Sequence, residues 1–243
     1  NAILALQDQI QDTFNNLCEK ILNIEGKLIL MGIGKSGHIA QKISATLSST
    51  GTPSFFIHPT EAAHGDLGMI EKQDAILVLS NSGETKEILE ILPALKRCSD
   101  CIFTLTNNAD STLARAGEIN VVIKANQEAC PLDLTPTSST TLALVFGDAL
   151  AIALLNNRGF TRDDFAKSHP AGQLGKKLTT LVRDIAIMSD EAPVVSENAS
   201  LKDALMEVTD KKLGLTLVSN GKKIIGIFTD GDLRRCLNQD QDL

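Results

Sequence analysis

Tryptophan and tyrosine are absent from the 243 residues, and aromatics make up only 3% of the chain. Acidic side chains outnumber basic ones, 30 to 23. A chain this poor in stacking surfaces and this acidic is not a general nucleic-acid binder. Cysteine is scarce and irregular. Cys18, Cys98, Cys101, Cys130 and Cys236 form no framework and read as thiols of a reducing cytoplasm. Cys98 and Cys101 have CxxC spacing but no second pair, which favours plain thiols over zinc or redox chemistry. No signal-peptide pattern is present, and no apolar run approaches the roughly 20 residues of a membrane span. The chain opens on Asn1 rather than methionine, as a fragment of a longer protein would.

What is present is a 43% hydrophobic chain, long enough for one large or two small domains. It is organised around KLILMGIGKSGH (27–38): a buried strand over 27–33, a glycine turn (Gly32, Gly34, Gly37), then a helix. The first turn of a helix carries unpaired N–H groups and a partial positive charge. Glycine lets a ligand come close to such a turn. The same grammar recurs in DAILVLSNSGETK (74–86). Two such turns at the C-terminal ends of two strands of one parallel sheet can share a phosphorylated ligand.

Hydrophobic spacing near 3.6 predicts a helix over 1–24. Further strands are expected at 53–57, 74–79, 101–106 and 119–124. Helices are expected at 39–49, within 58–66, and at 84–98, 111–116 and 142–157. Strands alternating with helices at this spacing imply a doubly wound, five-stranded parallel α/β sheet. The stretch 159–175 reads as polar and turn-rich. A boundary near 180–185 divides the chain into domains 1–183 and 184–243. The second is a small α+β unit: a helix at 201–209, strands at 215–218 and 223–228, and a last helix opened by TDGDLRR (229–235). At about 60 residues it is small for independent stability and is expected to pair with a second copy.

The pairing of GKSGH (34–38) with SNSGET (80–85) resembles the sugar isomerase (SIS) domain, and IGIFTDGDLRR (225–235) resembles the end of a CBS module. Together with HPTEAAHGDLGMI (58–70), EACPLDLTPTSSTT (128–141) and SHPAGQLGKKL (168–178), the chain resembles the D-arabinose-5-phosphate isomerase family over nearly its whole length. That family usually carries two CBS modules, and one is visible here. The resemblance implies interconversion of D-ribulose 5-phosphate and D-arabinose 5-phosphate, a step towards Kdo and lipopolysaccharide. It also implies a cytoplasmic enzyme with no required cofactor, a small phosphosugar as ligand, and neither nucleic acid nor membrane as partner. SIS sites are commonly completed across subunits, so a homotetramer is expected.

Aldose–ketose isomerisation moves a proton between C1 and C2 through a cis-enediol. It needs a base, a group that shuttles protons between O1 and O2, and donors for the enediolate. Ser80, Asn81, Ser82, Gly83 and Thr85 are the phosphate anchor, helped by Gly34 and Ser36; an ordinary capped helix start would use the same residues. Lys35 is the one cation in either turn and matches a family position implicated in catalysis, at the enediolate or the phosphate. Glu87 and Glu128 both match catalytic positions and stay open as carbon base. His169 matches a position assigned to acid/base work, and His64 resembles a histidine that assists ring opening in a neighbouring subunit's site. By the same resemblance Gly51, Thr52 and His58 line the substrate site. Ser138 and Ser139 are substrate-binding candidates whose hydroxyls would equally cap a helix. His58 and His64, six apart with Glu61 between them, suit a divalent metal such as zinc, which enediol chemistry does not require and which would be inhibitory. His38 reads as a helix-face residue. The alternatives are a SIS isomerase for another phosphosugar, and a non-catalytic phosphosugar sensor relaying through the CBS part. The lack of a helix-turn-helix or basic arm counts against the sensor.

Overall fold

The computed structural model describes residues 2–170, 172–188 and 191–239; Ala171 of the SHPAGQLGKKL motif lies outside them. The chain divides into two compact units, Asn1–Thr179 and Thr180–Leu243.

The first unit runs α1 (Ala2–Leu22), β1 (Leu28–Gly32), α2 (Gly34–Ser49), β2 (Ser54–Phe56), α3 (Pro59–Ala63), a 3-10 turn (Asp66–Met69), β3 (Ala75–Leu79) and α4 (Lys86–Cys98). It continues with β4 (Cys101–Thr106), α5 (Thr112–Ala116), β5 (Ile119–Val122), α6 (Ser138–Asn157), α7 (Arg162–Ser168) and α8 (Gln173–Thr179). The five strands pair in parallel in the order β2-β1-β3-β4-β5. β1 and β3 are buried along their whole length, which is why they read as unbroken apolar runs. Their side chains still alternate between two cores. Leu28, Leu30, Leu77 and Leu79 join one with residues of α1, α2 and α6; Ile29, Met31, Ile76 and Val78 join the other with residues of α4 and α5. Helices thus cover both faces, as a doubly wound sheet requires.

Three local expectations need correction. α2 begins at Gly34, so Lys35, Ser36 and His38 sit in the helix's first turn and not in a glycine loop before it. α6 begins at Ser138, because the hydroxyl-rich run before 142 is helical rather than loop. The stretch 159–175 carries α7, whose start is fixed by a capping box: Thr161 Oγ1 accepts from Asp164 N–H, and Asp164 accepts from Thr161 N–H. α6 is also long and apolar enough, by length and composition, to cross a membrane. It is a core helix, with Leu142, Phe146, Leu150 and Leu154 fully buried, and it packs against α1 and α2.

The second unit comprises α9 (Val182–Ile185), β6 (Val194–Ser196), α10 (Leu201–Lys211), β7 (Leu215–Ser219), β8 (Ile224–Thr229) and α11 (Asp230–Gln239). β7 and β8 form an antiparallel hairpin, and β6, absent from the sequence expectation, pairs parallel with β7. At three residues, β6 is too short to show a period. Ile224, Ile225 and Ile227 of β8 are exposed.

Candidate active site

The strand order reverses between β1 and β3, and in an open parallel sheet the crevice at such a switch point is where ligands bind. The two glycine motifs leave the sheet there. A cleft of ≈ 180 Å³ opens at the C-terminal strand ends, lined by Ile33, Lys35 and Ser36 after β1, Ser80 and Asn81 after β3, Thr106 at the end of β4, Ile123 beyond β5, and Ser139 and Thr140 of α6.

Both helix starts that face this region lack a side-chain cap. Ile33, the N-cap of α2, offers no polar side chain, and Thr85, the N-cap of α4, makes no capping bond. The Thr85 hydroxyl instead pairs with Ser80 Oγ at 2.8 Å, and Ser80 Oγ also accepts from Gly83 N–H at 3.1 Å. The ordinary capped start is therefore not what the sequence builds, and first-turn N–H groups stay open to an anion. Gly37 lets α2 begin directly over β1, because a Cβ there would lie 2.7 Å from the Gly32 carbonyl. Gly83 has φ +69°, and a Cβ on it would lie 2.0 Å from Ser111 Oγ. Lys35 is exposed and forms no ion pair among the described residues.

Glu128 closes the far side. Its carboxylate accepts from Thr137 N–H at 2.7 Å, Thr137 Oγ1 at 3.0 Å, Ser139 N–H at 3.3 Å and the Ser139 hydroxyl. Burial pushes this carboxyl up, but the four donors, led by the Ser139 hydroxyl, outweigh it and hold it at about 2. Glu128 thereby caps α6 with a negative charge at the positive end of the helix. Its own N–H is held by Asp133 Oδ1 at 2.6 Å, and Ala129 N–H by Thr137 Oγ1 at 2.8 Å.

The structure brings Lys35, Ser36, Ser80, Asn81 and Ser139 into one cleft, with Glu128 bound to Ser139. Ser82 is exposed on the same loop and accepts from Glu84 N–H, and Ser138 opens α6 half-buried beside Ser139. The other candidates fall elsewhere. Gly34, His38 and His58 line a neighbouring hollow with Phe56. His64 and Glu87 line a third, between α3 and α4. His169 ends α7, stacked on Phe165 at 3.9 Å, with Nδ1 2.9 Å from the Phe165 carbonyl. A carbonyl only accepts, so Nδ1–H is the donor in this bond. Gly51 and Thr52 precede β2, where Gly51 abuts the Phe160 ring and Thr52 is buried against Arg158. His58 caps the start of α3 through Nδ1 and His64 ends that helix; among the described residues no three metal-ligating side chains cluster. Thr106, Thr137 and Thr140 went unrecognised in the sequence. The signal for Thr137 and Thr140 was the density of hydroxyls over 135–141; Thr106, the last residue of β4, had none.

Comparison with known proteins agrees with this geometry. The SIS domain model matches residues 21–153 and the CBS domain model residues 182–239. The chain is 54% identical to the arabinose 5-phosphate isomerase KdsD of Yersinia pestis, across 99% of this chain and 74% of that one. It is 52% identical to the enzyme of the same name from Pseudomonas aeruginosa, across 100% and 75%. The chain belongs to the arabinose 5-phosphate isomerase family. Among solved structures it resembles E. coli CFT073 c3406 in complex with A5P, with TM-score 0.68 and 46% identity, covering 70% of this chain and 90% of that one.

Proposed function

We propose that the cleft performs the isomerisation for which the family is named, interconverting D-arabinose 5-phosphate and D-ribulose 5-phosphate through a cis-enediol on the way to Kdo and lipopolysaccharide. The observation that carries this is the convergence at the β1/β3 switch point of two uncapped helix starts and of Lys35, which forms no ion pair among the described residues. In this reading the 80–85 loop and the first turn of α2 hold the phosphate, and Lys35 serves the phosphate or the enediolate. A carboxylate held at about 2 is a weak proton acceptor at neutral pH, so Glu128 organises the site while Glu87, His64 and His169 remain for proton work. Those three lie outside this chain's own cleft, which supports completion by a neighbouring copy in a homo-oligomer, a tetramer in our reading. The free thiols support a cytoplasmic setting.

The test is turnover of D-ribulose 5-phosphate in deuterated water followed by NMR. The expected product is D-arabinose 5-phosphate carrying deuterium at C2. Lys35→Ala is expected to lower kcat/KM by about 10²-fold or more. Binding of the substrate with neither product nor deuterium would replace the enzyme reading with that of a phosphosugar sensor.

A further inference from the structure

The cleft has two chemically unlike walls. On the β1 and β3 side stand the Lys35 ammonium and the first-turn N–H groups of α2, which only donate, with the Ser36 hydroxyl and the Asn81 amide, which can donate as well as accept. On the opposite side, every hydroxyl has already given its proton away. Ser139 donates to Glu128, which as an anion can only accept. Thr140 donates to the Thr137 carbonyl at 3.0 Å. Thr106 donates to the Asn108 carbonyl and to Asn120 Oδ1, each at 3.1 Å. What these oxygens present to the cleft is lone pairs.

We propose that Ser139 and Thr140 are specificity-determining residues that form an acceptor wall, which binds the sugar's hydroxyl groups, rejects the phosphate, and so fixes the substrate's direction in the cleft. The oxygens of a phosphate monoester, whose second pKa is about 6, are mostly unprotonated at neutral pH and would meet such a wall lone pair to lone pair. A sugar hydroxyl can donate to it. Thr137 is a positioning residue for this arrangement: its N–H and hydroxyl both hold Glu128, and Glu128 in turn takes the Ser139 proton. The ligand's identity rests on the isomerase reading above; the polarity of the two walls does not.

The experiment measures binding of D-arabinose 5-phosphate and of inorganic phosphate by calorimetry, with turnover alongside, for the intact chain, Ser139→Ala and Thr140→Val. Each substitution is expected to weaken the sugar phosphate about tenfold and to leave inorganic phosphate within about twofold. Equal weakening of both ligands would place these oxygens on the phosphate and overturn the proposal. No change in either ligand would show that the wall does not touch the sugar, and would overturn it as well. Should Ser139→Ala fail to fold for want of a Glu128 donor, Thr140→Val decides, since it preserves shape and removes no donor from Glu128. A chain that binds D-arabinose 5-phosphate with this pattern but does not convert it sinks the isomerase reading and leaves the acceptor wall standing.

Discussion

At the scale of single residues, the same residue types reached opposite fates through their neighbours. Glu128 and Glu87 stand level in the sequence as candidate bases, yet four donors converge on Glu128 and Glu87 lines another hollow. Cysteine divides in the same way. Burial pushes Cys18 and Cys101 up to about 11. Hydrogen bonds from the Leu134 backbone, and then from Thr135, bring Cys130 down to about 7. Since the thiolate is the reactive form, iodoacetamide at pH 7.5 is expected to label Cys130 well before Cys18 or Cys101, as read by mass spectrometry of tryptic peptides. Gly83 is the residue with the least freedom to change. At φ +69° and pressed against Ser111, Gly83→Ala is expected to cost about 2–3 kcal/mol in urea unfolding and to weaken phosphate binding. The glycine and serine motifs were legible because their chemistry is local. The partners of Glu128 were not, since Thr137 and Ser139 lie nine and eleven positions away and nothing in spacing says they return.

At the scale of elements, α6 shows how a remote carboxylate can start a helix. Its N-cap, Thr137, makes no side-chain bond to the helix, and Glu128 takes that place. Glu128 has its folded pKa depressed to about 2 from 4.5. Its contribution is therefore complete above pH 4.5 and is lost as the pH falls from 4.5 towards 2. Amide exchange at Thr137 and Ser139 is expected to accelerate through that window, ahead of the strand amides of β1 and β3. Glu128→Gln is expected to cost about 1–2 kcal/mol and to abolish this pH dependence. Strands β1, β3 and β4 were legible nearly to the residue, because a strand buried on both faces is an unbroken apolar run. The start of α6 was misplaced, because Ser138 to Thr141 are weak helix formers that only the Glu128 cap makes helical.

At the scale of the whole molecule, the cleft belongs entirely to the first unit: its lining runs from Ile33 to Ala143. The E. coli c3406 chain is itself covered to 90% by 70% of this one. A chain ended after Thr179 is therefore expected to fold and to bind D-arabinose 5-phosphate with an affinity within about threefold of the longer chain. Calorimetry checks this, and loss of binding would mean that residues beyond 179 are needed to build the cleft. The exposed isoleucines of β8 leave the second unit with apolar surface that its own described residues do not cover.

The sequence by itself determined the α/β alternation, the two glycine motifs and the class of ligand they suit, since each follows from local periodicity or backbone chemistry. Only the tertiary structure decided that β1 and β3 are neighbours with the switch point between them. It also decided that four donors converge on the Glu128 carboxylate, and that Glu87, His64 and His169 do not line the cleft. Those outcomes depend on which segments meet in space, and hydrogen bonds between residues far apart in sequence leave no period to read.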